Sequence, residues 1–364
     1  MDPFVPNQPR KGRGAVSNAT GRFEREQRHA VDDGWGTAWA AEEWEVDSAR
    51  RTTLTKDTTK VVITRNNSPD IGFDRSINPY RGCEHGCVYC FARPTHAFLG
   101  MSPGLDFETK LFYKPDAAKL LAEELRNPKY ECRTIAMGTN TDPYQPVERR
   151  LEITRSILEV LAAHRHPISI VTKSSLILRD LDILAPMAKE GLAKAAVSVT
   201  TLDSTLARRM EPRATTPARR IETIRGLAAA GIPTAVMTAP VIPVLTDPEL
   251  ETILETAAAA GASAAGYVML RLPLEIKDLF REWLAVHAPM KAKHVMALVH
   301  DTRGGKDYDS RWGIRQRGEG AYAELINRRF RLAVERLGLG NDRKPLDTTK
   351  FRLPPRAGDQ LALF

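Results

Sequence analysis

Between residues 75 and 288 the chain alternates short β-branched or apolar runs with longer stretches in which apolar residues recur every three to four positions. Short apolar runs fit buried strands, and the 3.6-residue recurrence fits amphipathic helices. The expected strands cover 75–79, 134–138, 168–172, 195–199, 234–238 and 266–270. Helical stretches between and after them cover 115–126, 147–165, 178–190, 217–230, 248–260 and 274–288. Pro217 and Pro248 stand in first turns, where a missing N–H costs nothing. Gly191, Gly231 and Gly261 follow their helices as stops. Six strand–helix units in series predict an α/β fold with a parallel sheet and right-handed crossovers. Six units instead of eight predict a partial (β/α)6 TIM-type barrel, open along one side.

The flanks lack this rhythm. Residues 1–60 read as an irregular polar extension with little core of its own, ahead of a barrel over 61–290. Residues 291–340 read as a basic helical and loop region, and 341–364 as a flexible, Pro-containing tail ending in Gln360-Leu361-Ala362-Leu363-Phe364. No stretch approaches the roughly 18 apolar residues of a membrane helix, and Met1–Arg13 has no apolar core of a secretory signal. A cytoplasmic location away from membranes is expected. The net charge of +8 is uneven: residues 299–356 hold 14 Lys/Arg against 8 Asp/Glu, so most of the excess lies there. That distribution suits a polyanionic partner or a solvated face.

Three of the four cysteines fall within eight residues, in Arg81-Gly82-Cys83-Glu84-His85-Gly86-Cys87-Val88-Tyr89-Cys90, just past the first strand. Cysteines this close are poor disulfide partners and read as a metal site. A closed zinc site or an ordinary 4Fe–4S electron carrier takes four ligands. The fourth cysteine, Cys132, lies six residues before Gly138, about 20 Å from the catalytic edge by strand rise. Three thiolates therefore leave one iron of a cluster open to an added chelator. The alternative is zinc on the three cysteines plus His85 or His96 in a non-catalytic, nucleic-acid-binding protein.

The Cys-x3-Cys-x2-Cys spacing, with Tyr89 before the last cysteine, resembles the radical S-adenosylmethionine (SAM) superfamily over roughly residues 70–330. The resemblance implies a 4Fe–4S cluster on Cys83, Cys87 and Cys90, with SAM bound to the open iron and Tyr89 near its adenine. It also implies reductive cleavage of SAM to a 5′-deoxyadenosyl radical, fed by a reductase or a flavodoxin- or ferredoxin-type donor. The ends of the later strands are polar, as ligand-facing ends should be. Thr139, Asn140 and Thr141 suit the amino end or ribose of SAM, Lys173 its carboxylate, and Ser198 its ribose. Ala239-Pro240-Val241-Ile242-Pro243 offers an apolar wall for adenine. Glu211-Pro212-Arg213 and Arg219-Arg220, after the fourth strand, are candidates for phosphate contacts or for pairing at a helix start.

Within the superfamily, 138–148 and Met210-Glu211-Pro212-Arg213 resemble the spore photoproduct lyase-related group, which implies a lyase-like reaction on a damaged DNA base. One departure is plain. That group's hydrogen-donating cysteine would fall near Ala136-Met137-Gly138, where no thiol occurs. Radical modification of RNA, a peptide or a metabolite is the alternative. Arg303, Lys306, Arg311, Trp312, Arg315 and Arg317 interleave cations with one aromatic ring, a composition suited to phosphates and stacked bases or to a structured plug in the open barrel. Gln360, Leu361, Leu363 and Phe364 resemble the short peptide that docks replication and repair proteins on the bacterial sliding clamp.

Overall fold

The computed structural model describes residues 9–24, 51–340 and 345–354. Its strands are β1 (Thr53–Lys56), β2 (Ile63–Arg65), β3 (Arg75–Ile77), β4 (Tyr80–Arg81), β5 (Lys110–Tyr113), β6 (Ile135–Met137), β7 (Ile168–Thr172), β8 (Ala193–Ser198), β9 (Thr234–Val241) and β10 (Ala264–Met269). Seven of these make one sheet in the order β10-β9-β8-β7-β6-β3-β2. The six strands from β3 to β10 are parallel, and β2 runs antiparallel on the outer edge of β3. Consecutive parallel neighbours joined by helices are what the alternating pattern predicts. Because β10 and β2 lie at opposite edges of the sheet, the barrel is open.

The helices that cover the sheet are α1 (Ala117–Leu125), α2 (Ile153–Ala163), α3 (Leu181–Lys189), α4 (Ser204–Met210), α5 (Pro217–Ala229), α6 (Leu250–Ala259), α7 (Ile276–His287), α8 (Pro289–Asp301) and α9 (Ala321–Arg336). The apolar faces of α1, α2, α3, α5, α6 and α9 and the inward strand residues Ile135, Ile168, Ile170, Val197 and Val236 form the main core, while α4, α7 and α8 pack in a second cluster with Val88 and Tyr89. The stretch expected as one helix over 147–165 breaks at Glu152, whose φ is +51°. The buried Glu148 carboxylate explains the restart, since it accepts the Thr154 amide at 3.0 Å and so caps α2.

The pattern missed a second, three-stranded sheet in the order β1-β5-β4. Its strands are two to four residues long, too short to show a period. The flanks also differ from their expected looseness. Within 1–60, Thr53–Lys56 is a strand and residues 13–17 are buried. Within 341–364, residues 345–354 lie against the body: the Lys350 ammonium reaches the Glu190 carbonyl at 2.6 Å and the Arg352 amide the His164 carbonyl at 3.0 Å. Phe351 packs among Tyr130, His164 and His166. The segment Gln360, Leu361, Leu363 and Phe364 lies outside the described residues. Among the described residues no helix is long and apolar enough to cross a membrane.

Candidate active site at the cysteine loop

The cysteine loop leaves β3 at the C-terminal edge of the sheet, where loops of barrel folds carry their chemistry. Gly82 and Gly86 take φ of +78° and +66°, which turns the chain sharply between the thiols. Cys83 and Cys87 are buried and Cys90 is partly exposed; all are free. Burial pushes the Cys83 and Cys87 thiols up, and for Cys83 the neighbouring Asp142 charge pushes the same way. Lys173 opposes the shift at Cys87. Cys87 and Cys90 also raise Cys83, and Cys90 raises Cys87, which places the three within electrostatic reach of one another. Among the described residues no three His, Cys, Asp or Glu side chains are drawn together as a metal site. Buried thiols of this kind lose their protons when a cation replaces them, so the donor set fits soft thiolate ligation.

Three braces hold the loop. Gln145 spans Cys83, with its Oε1 accepting the Glu84 amide at 2.9 Å and its Nε2 donating to the Gly82 carbonyl at 3.3 Å. Asp142 sits 3.3 Å from His85 Nδ1 and accepts from the Thr172 hydroxyl at 2.7 Å and the Lys173 amide at 2.8 Å. Despite burial, the His85 charge and these donors hold Asp142 down to about 2. The third brace is Arg93, fully buried, which spends all five N–H groups. It donates to the carbonyls of Cys87 (2.8 Å), Gly86 (3.0 Å), Pro103 (3.0 Å) and Gly104 (2.8 Å) and to Glu108 at 2.5 Å. Glu108 in turn accepts the Gly14 and Ala15 amides at 3.0 and 2.9 Å, which straps the N-terminal segment across the loop.

Tyr89 is anchored by a buried network. Its hydroxyl donates to Glu211 and lies 3.2 Å from the Thr200 hydroxyl, which itself reaches Glu211 at 2.6 Å. Arg220 pairs with Glu211 and donates to the Ser198 carbonyl at 3.1 Å. Above the Tyr89 ring sits the Lys173 ammonium, 5.7 Å from the centroid. Lys173 thus lies near both Tyr89 and the Cys87 thiol, and Ser198 adjoins this group only through the bond of its carbonyl to Arg220. Thr139 and Asn140 are both tied to Asn78 Oδ1, at 3.5 and 3.1 Å. Thr141 does not face the mouth as expected: it is buried and its hydroxyl donates to the Tyr80 carbonyl at 3.3 Å, so it braces the loop. Arg213 pairs with Glu84 at 2.9 Å. Arg93, Glu108 and Gln145 were missed in the sequence, where nothing marks a lone charge or amide as the partner of a distant loop.

The expected nucleic-acid residues divide. Arg303 is fully buried and donates to the carbonyls of Leu270 (2.7 Å) and Ile314, so it cannot serve phosphates. Arg311 pairs with Asp309 and Glu319, Arg315 with Asp70, and the Arg317 guanidinium lies 4.0 Å from the Tyr267 ring centroid. Arg303, Arg315 and Arg317 tie this segment to both sides of the open seam, since the loop before β3 supplies Asp70 and β10 supplies Tyr267, whereas Arg311 pairs within the segment itself. Lys306 and Trp312 remain exposed. Cys132 lies just before β6, at the edge away from the cysteine loop.

The sequence matches the radical SAM superfamily over residues 77–257, a span that runs from the last residue of β3 through the three cysteines to beyond β9. The chain belongs to the radical SAM superfamily. A match of this kind supports an enzyme over the non-catalytic zinc reading. His85 and His96, the extra ligands of that reading, are each tied by one nitrogen, to Asp142 and to the Lys110 carbonyl at 2.9 Å.

Uncharacterized proteins of bacteria and archaea are similar to this chain in sequence. An uncharacterized protein of Mycobacterium tuberculosis is 42% identical over 221 residues, covering 60% of this chain and 65% of that one. The chain thus spans just under two thirds of the length of these relatives. An uncharacterized protein of Methanocaldococcus jannaschii is 29% identical over 48% of this chain and 62% of its own length. The fold is also that of spore photoproduct lyase. A variant of that enzyme with AdoMet and dinucleoside spore photoproduct bound superposes with a TM-score of 0.55 at 14% identity, covering 86% of this chain and 85% of the other.

Proposed function

We propose that Cys83, Cys87 and Cys90 hold a 4Fe–4S cluster and that the enzyme cleaves SAM reductively and acts on a damaged base in DNA, in the manner of a photoproduct lyase. The observation that carries this reading is the placement of three thiols in one loop at the C-terminal sheet edge, with the fourth cysteine at the opposite edge. When bound, the cluster supplies the electron that opens the sulfonium of SAM. The chain's own residues supply position and charge. Lys173 lies above Tyr89, where it would meet the SAM carboxylate, and the Glu211–Arg220 pair fixes the Tyr89 ring against which adenine would lie. Ile242 and Leu270, packed with Val88 and Tyr89, keep water from this wall. A reductase or small ferredoxin- or flavodoxin-type protein would deliver the electron in a reducing, cytoplasmic setting. The segment over 360–364 would dock on the sliding clamp; deleting it should abolish retention of the enzyme on immobilised clamp.

A specific observation favours a second reading, modification of another substrate such as RNA, a peptide or a metabolite. The end of β6 has no thiol, and a side-chain carbon at Gly138 would fall 1.8 Å from the Val171 carbonyl oxygen, so none fits at that position. The lyase step would then lack its hydrogen donor. Anaerobic loading with iron and sulfide, reduction, and analysis of products from SAM with a thymine-adduct dinucleoside tests the proposal. Restored thymines and 5′-deoxyadenosine support it. Formation of 5′-deoxyadenosine with the adduct intact favours the second reading, and no cleavage of SAM sinks both.

A further inference from the structure

Phe91 follows Cys90 and is 45% exposed, unusual for a large ring beside a buried loop. The Arg271 guanidinium lies over it, 4.8 Å from the ring centroid, and 5.9 Å from the ring of Tyr308. Arg271 Nη2 donates to the Tyr308 hydroxyl at 3.3 Å, while its Nε is buried without a partner. Three separate parts of the chain meet here: the cysteine loop, the loop after β10, and the C-terminal segment. Arg303, donating to the Leu270 carbonyl, pins that segment in place. The contact therefore bridges the loops of the first and last parallel strands, across the side on which the barrel is open.

A cation flanked by two aromatic rings, one of them half in solvent, suits a planar ring with an anionic linker. Nucleobases stack on such rings whatever their identity, and arginine adds both a stacking plane and phosphate hydrogen bonds. Enzymes that act on a base must take it out of the duplex stack. Resting on the DNA reading above, we propose that Phe91, Arg271 and Tyr308 form a subsite that stacks an unpaired nucleobase of the DNA strand, with the adjoining phosphate on Arg271.

The test compares two fluorescein-labelled strands of equal length and charge, an oligothymidylate and its abasic counterpart, by anisotropy with the iron-loaded full chain. The parent should bind the thymidylate about tenfold more tightly. Phe91→Leu and Arg271→Gln should bring that preference close to unity, and Phe91→Tyr, which keeps a ring, should retain it. Equal binding of the two strands by the parent overturns the proposal, as does an undiminished preference in Phe91→Leu. The enzymatic reading is judged separately, by 5′-deoxyadenosine formed from SAM by the parent without DNA.

Discussion

The glutamate at position 211 shows how one residue orders a site. Its carboxylate takes the Tyr89 and Thr200 hydroxyls and the Arg220 guanidinium, all buried. Removing one member of a buried ion pair leaves the other charge without compensation, at a cost of about 3–5 kcal/mol. Glu211→Gln should lower unfolding stability in urea by about that amount. The double variant Glu211→Gln, Arg220→Met, which removes both charges, should recover most of the loss; a double variant as weak as the single one would show that the pair itself stabilises. In the sequence, Glu211 reads only as part of Glu211-Pro212-Arg213, because nothing there says that Arg220 and Tyr89 converge on it while Arg213 turns to Glu84.

Two elements that sequence periodicity leaves blank do much of the positioning. The N-terminal strap is tied to Glu108, and a side-chain carbon on Gly14 would fall 1.7 Å from the Gly86 carbonyl oxygen. The oxygen belongs to the backbone and the backbone fixes where the added carbon falls, so no rotamer change relieves the clash. Gly14→Ala should release the strap and speed proteolytic cleavage within 9–24 about tenfold, in the range expected when a locally packed segment opens. Intact protection would mean that the strap docks otherwise. The seam segment depends on the Arg315–Asp70 pair. Arg315 and the Gly313 amide hold Asp70 down to about 2, below its ordinary value. A depressed carboxylate stabilises the fold above its unfolded pKa of about 4, and that gain is lost as pH falls through the folded value. The stability gap between the parent and Asp70→Asn should therefore narrow by roughly half between pH 5 and pH 3 in urea titrations. A constant gap would mean that Asp70 does not titrate across that window.

At the scale of the molecule, the sheet separates the cysteines by role. Cys83, Cys87 and Cys90 share one loop at the C-terminal edge, whereas Cys132 sits before β6, partly buried, its thiol pushed up to about 11 mainly by burial. Cys132→Ala should keep the full iron and sulfide content after anaerobic loading, while Cys83→Ala, Cys87→Ala and Cys90→Ala should each lose it. Iron loss in Cys132→Ala would refute the three-ligand assignment. The excess positive charge behaves differently from its appearance in the sequence. Arg303, Arg315 and Arg317 are spent on carbonyls, a carboxylate and a ring beside the open side and Arg311 on carboxylates of its own segment, while Lys173 and Arg271, the cations near the cysteine loop, come from outside the basic region.

The chain's local order determined the six parallel strands, their sequence along the sheet and the loop that carries the thiols. Apolar alternation, helix stops and cysteine spacing are short-range properties, and right-handed crossovers leave few ways to assemble them. The tertiary structure alone decided which charges act and which merely hold. Glu108 meets Gly14 and Arg93, and Asp70 meets Arg315 across more than two hundred residues of chain. A side chain's charge is written in the sequence, but its work depends on burial and on the partner that folding brings to it.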